Sequence, residues 1–191
     1  MDQNPDFERL VADGLAASLA DQREAALALF TRAGELMPGS GVPHFLIASE
    51  HASAGDFAAA EHAFANAVLL SPDFPLARYQ LGLLQFSSQR SAMALLTWQP
   101  LLSLPQEDAL LHFVRGFAEL ANDGFDAALR HFRTGLACAG ANPAVCSDVR
   151  QLMDAIQELQ ATSRSDAAGS DADAAPGAQH VLLGGYARGL H

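Results

Sequence analysis

Small and aromatic residues recur along this chain at an interval of 34. "AALALFTRAGELMP" carries Ala26, Phe30, Ala33 and Pro38, and "AAAEHAFANAVLLSP" repeats the set as Ala60, Phe64, Ala67 and Pro72. Windows of 34 begun at Phe7 extend the register. Position 8 is Gly14, Ala48, Gly82 and Gly116; position 20 is Ala26, Ala60, Ala94 and Ala128. Position 24 is Phe30, Phe64, Trp98 and Phe132, and position 27 is Ala33, Ala67, Leu101 and Gly135. The closing proline is Pro38 and Pro72; in the third window Pro105 falls one residue early, and the fourth has Gly140. Such a chain is one unit copied in tandem. A single unit cannot bury its apolar face alone, so neighbours must stack.

The unit is helical. Half the residues are apolar, alanine is abundant and β-branched residues are few, which favours helix over sheet. The spacing predicts helix pairs over 7–19 with 22–36, 41–54 with 57–70, 75–87 with 91–103, and 108–121 with 125–138. The turns "AGDF" and "NDGF" supply glycine between helices, and proline ends the second helix of a unit. After Pro143, apolar residues at Val145, Val149, Leu152, Met153, Ile156 and Leu159 follow the spacing of an amphipathic helix, read as a cap over 143–161.

The register resembles the tetratricopeptide repeat (TPR) family, a 34-residue helix–turn–helix unit with small residues at 8, 20 and 27, an aromatic at 24 and proline at 32. The likeness covers residues 7–142, as four repeats at about 7–40, 41–74, 75–108 and 109–142. It implies an all-α, right-handed superhelical solenoid. Departures lie mostly in the first helix of each unit. Position 4, usually Trp, is Leu10, His44, Arg78 and His112; position 11, usually Tyr, is Ala17, His51, Gln85 and Glu119. Asp13 and Arg115 stand at position 7, normally Leu.

In that family the first helix of each unit lines a concave groove, with contacts at positions 2, 5, 9, 12 and 13. Position 5 here is Val11, Phe45, Tyr79 and Phe113; position 9 is Leu15, Ser49, Leu83 and Phe117. Position 12 adds Phe86, and position 2 adds Leu76 and Leu110. The resemblance thus implies an apolar, aromatic groove of Phe45, Leu76, Tyr79, Leu83, Phe86, Leu110, Phe113 and Phe117, flanked by Arg78 and Arg115. A stripe at helical spacing serves packing as readily as binding, so each aromatic stands open between core and groove. The Lys, Asn and Arg set with which some family members grip a chaperone's C-terminal carboxylate is missing.

Other chemistries find little support. The net charge is −11 and every basic residue is arginine, so nucleic acid has no electrostatic footing. No run of about 18 apolar residues spans a membrane. The acidic start "MDQNPDFERL" does not read as a secretory signal, and cytoplasmic residence is the expectation. Cys138 and Cys146 match no metal motif and read as packing residues; His44 and His51 are seven apart, without H-E-x-x-H spacing. No nucleophile elbow, Walker loop or dinucleotide fingerprint is present. The reading is non-enzymatic, with no cofactor and no metal.

From 162 to 179 the chain is Ser, Asp, Ala and Gly with no large apolar side chain, the composition of a disordered linker. Apolar residues return in "HVLLGGYARGLH", residues 180–191. Val181, Leu182, Leu183 and Tyr186 are either a frayed end or a short docking motif. A linker of about 18 residues has an r.m.s. span of roughly 20–25 Å, the scale of a short groove. Three functions follow: a bacterial-type adaptor or chaperone holding an apolar or amphipathic peptide of a protein partner; a structural or assembly subunit whose C-terminal tail docks into its own or a neighbouring groove; or a regulatory partner of a secretion or glycosyltransferase system.

Overall fold

A computed structural model describes residues 4–167. Among these the chain is all-helical and divides into two compact units, one ending at Leu84 and the other beginning at Gln85. The first holds α1 (Pro5–Leu19), α2 (Arg23–Leu36), α3 (Val42–Ser53), α4 (Phe57–Leu70) and most of α5 (Pro75–Ser87). The second holds the end of α5, α6 (Ser91–Trp98), a 3₁₀ segment (Gln99–Ser103), α7 (Ala109–Leu120), α8 (Phe125–Ala137) and α9 (Pro143–Ala167).

The starts of these helices are written locally. The Asn4 side chain accepts from the Asp6 and Phe7 amides, with Pro5 in the first turn, where its missing N–H costs nothing. Asp56 and Asp108 cap α4 and α7 in the same way. Each turn inside a pair needs one residue in the left-handed region: Asp21 (φ 57°), Gly55 (76°), Gln89 (63°) and Asp123 (56°). These four fall at one position of the 34-residue window, but only one is glycine. In "NDGF" it is Asp123, not the adjacent Gly124, that adopts this conformation. An L-residue there costs about 1–2 kcal/mol, less for Asp than for Gln. Gln89→Gly is therefore expected to raise the urea midpoint of the second unit, by about 0.5–1 kcal/mol after glycine's own entropic cost. An unchanged or lower midpoint would mean that the Gln89 side chain compensates the turn.

Packing within a pair rests on contact between positions 8 and 24. A Cβ on Gly14 would stand 2.4 Å from the Phe30 ring, and one on Gly116 2.4 Å from the Phe132 ring. The aromatic at position 24 thus closes on its own unit, where the repeat pattern places it against the next. In the first unit, Phe30 clusters with Ala17 and Ala26, and Leu46 and Ile47 of α3 pack against that cluster. Phe64, Ala48, Ala60 and Ala63 in turn gather Leu81 and Leu84 of α5.

Two boundaries differ from the sequence reading. The helix expected over 91–103 stops at Trp98, because Pro100 has no N–H for the Leu96 carbonyl. That carbonyl is taken instead by the Gln99 amide, and the backbone tightens into the 3₁₀ segment. The cap expected to end at 161 continues to Ala167. Its first turns are anchored by buried Val145, Val149, Leu152 and Ile156, and adding a residue to an existing helix is cheap compared with nucleating one. The rest of the expected linker and the motif Val181, Leu182, Leu183 and Tyr186 lie outside the described residues.

Candidate functional site

The positions expected to line a groove separate by burial. Tyr79 and Phe113 are fully buried, as are Leu83, Phe86 and Phe117. At these five the expectation of an accessible groove is corrected. In the second unit Phe117 is the hub of an aromatic string, with ring centroids 5.2 Å from both Phe86 and Trp98 and 5.3 Å from Phe132. Phe113 fills the space opposite Gly135, where a Cβ would come within 2.5 Å of its ring. Small residues on α8 draw the α7 rings inward, so they belong to the interior.

Phe45, Leu76, Arg78 and Leu110 remain half-buried. Phe45 leans on Phe64 and Phe74 at 5.7 and 4.9 Å between centroids. Arg78 donates weakly to the Pro72 carbonyl at 3.5 Å, and Arg115 donates to Gln106 Oε1 at 3.2 Å.

Among the first helices of the pairs, α1 carries the exposed leucines. Leu15 is 43 % exposed and Leu19 91 %, and Val11 is half-buried one turn earlier. A spacing of four aligns all three along one helix face, away from buried Leu10, Gly14 and Ala17. Val11 and Leu15 are groove positions in the repeat register. Leu19, the most exposed, was missed, although the 11–15–19 spacing signals it. Polar contacts from α3 fix the end of this face. The Ser18 hydroxyl donates to the Glu50 carboxylate, and Arg23 Nε donates to the Glu50 carbonyl at 3.2 Å. Arg23 also lies 3.2 Å from His51 Nδ1, which stands 3.5 Å from the Asp56 carboxylate.

No family model matches the chain, and no curated protein matches it in sequence. Solved structures do. A crystal structure of MamA aligns over 68 % of this chain and 76 % of that one, at 20 % identity and a TM-score of 0.55. MamA 41-end from Desulfovibrio magneticus RS-1 aligns over 97 % of both chains, at 13 % identity and a TM-score of 0.60. The MamA RS-1 ArsTM double mutant gives 97 % and 96 % coverage, 13 % identity and 0.59. The fold is TPR-like. At such identities the likeness is one of fold.

Within this TPR-like fold, the described residues hold no group of three His, Cys, Asp or Glu side chains placed to bind a metal ion. None of the described helices is long and apolar enough to cross a membrane. Burial, reinforced by the Asp108 and Glu107 carboxylates, pushes the Cys138 thiol up, toward its unreactive protonated form. Its Sγ–H donates to the Thr134 carbonyl at 3.4 Å.

Proposed function

We propose that the chain is a non-enzymatic protein-interaction module, adaptor or chaperone-like, that takes an apolar or amphipathic peptide segment of a protein partner on the open face of α1. The observation that carries this reading is the Val11–Leu15–Leu19 stripe. Exposed leucines elsewhere, such as Leu69 (76 %) on α4 and Leu96 (72 %) on α6, belong to the second helices of their pairs. The α1 stripe occupies positions at which TPR-like proteins offer a groove, and half-buried Phe45 lies at the equivalent position of the next repeat. Covering a fully exposed leucine is worth about 1.5–3 kcal/mol, which makes Leu19 the larger anchor and Leu15 the smaller.

The test is capture of a partner by the full-length chain and by Leu15→Asp/Leu19→Asp, with Leu69→Asp and Leu96→Asp as controls. The double substitution is expected to weaken the captured complex at least tenfold; Leu19→Asp alone, at a side chain 91 % exposed, is expected to weaken it with melting unchanged. Equal loss in the controls would assign binding to general stickiness. A mass that rises with concentration in the wild type and not in Leu15→Asp/Leu19→Asp would assign the same face to self-assembly, the competing reading.

A further inference from the structure

Two histidines are stacked between α7 and α8. His112 on α7 is 7 % exposed, and its Nε2 lies 2.8 Å from the Gln106 carbonyl oxygen. That partner only accepts, so Nε2 is the donor in this bond. Nδ1 is itself buried and has no hydrogen-bond partner. His131 on α8 lies over it, with centroids 6.3 Å apart and ring planes 27° apart. No hydrogen bond runs from His112 to His131: Nε2 is engaged by Gln106 and Nδ1 has no partner, so the two rings meet across the helix pair by stacking alone.

The surrounding charges do not welcome a proton on His131. Arg115 and Glu119 act on the His131 ring from α7, and Arg130 acts on it from α8. The segment before α7 carries Gln106, Glu107 and Asp108; its two carboxylates act on Cys138, and Gln106 Oε1 holds the Arg115 guanidinium. Glu119 opposes the two arginines.

We propose that the His112–His131 stack is an acid-sensitive joint, at which proton uptake by His131 loosens the α7–α8 pair. Burial first, then Arg115, holds the His131 imidazole below its ordinary value. The folded chain thus binds this proton less well than the unfolded chain. The contribution to stability is complete above the unfolded value of about 6.5 and is lost as pH falls from there through the folded value.

The chain carries its own reporter. Trp98, its single tryptophan, is fully buried and touches Phe117 of α7, which touches Phe132 of α8. Urea unfolding of the full-length protein, read by Trp98 fluorescence at pH 7.5 and 5.5, is compared with His131→Phe and His131→Gln. Between these pH values the wild-type unfolding constant is expected to rise more than that of either variant. Equal rises in all three would overturn the proposal. If both variants are unfolded at pH 7.5, an NMR titration of the wild-type His131 ring decides: a midpoint below the ordinary value supports the joint, and one at or above it overturns it.

Discussion

Truncating Phe117 to alanine is expected to cost the second unit about 3–5 kcal/mol, the range for removing a fully buried aromatic that leaves a cavity. Phe117 is 1 % exposed and touches three other rings, so its loss removes edge-to-face contacts as well as volume. Trp98 would sense the cavity directly, as a shifted emission maximum and a lower urea midpoint. Were Phe117 a groove residue instead, the midpoint would hold and partner binding alone would fall. The same contrast applies to Phe113→Ala, whereas Leu19→Ala, at 91 % exposure, is expected to leave stability within about 0.5 kcal/mol.

Gly116→Ala tests the packing from the other side and adds a single carbon. Its Cβ would sit 2.4, 2.6 and 2.9 Å from three carbons of the Phe132 ring. That ring is fully buried, with Phe117 5.3 Å away, so it has nowhere cheap to go. Either the ring leaves its rotamer or α7 and α8 separate, at an expected cost of about 1–3 kcal/mol. Gly39→Ala is the control: nothing lies within 4 Å of the added carbon, and the midpoint is expected to stay within about 0.5 kcal/mol. Equal midpoints for the two variants would show that the α7–α8 spacing is looser than these distances.

The helix pairs were legible because small–aromatic complementarity needs fixed spacing, and fixed spacing is visible in a sequence. Gly14, Phe30, Gly116 and Phe132 read as architecture from their register, although the pattern set the aromatic against the next unit and not against the glycine of its own. The face offered to a partner was not legible in the same way. Phe45, Tyr79 and Phe113 occupy equivalent positions, yet Phe45 is half-buried and the other two are interior. For Phe113 the reason is Gly135, which it sinks against, a pairing across 22 residues that no single-helix pattern reveals. Pro100 was legible in principle, since proline inside a helical run predicts the break that the 3₁₀ segment shows. The His112–His131 stack leaves no trace in spacing at all, because it depends on which faces of α7 and α8 meet.

The four left-handed turn residues suggest how such a chain keeps its ancestry. Asp21, Gly55, Gln89 and Asp123 share a conformation and no side chain. A comparison by letters sees one glycine and three substitutions; a comparison by backbone angle sees four identical joints. Descent in a repeat protein can thus be recorded in φ after it has been erased from the alphabet.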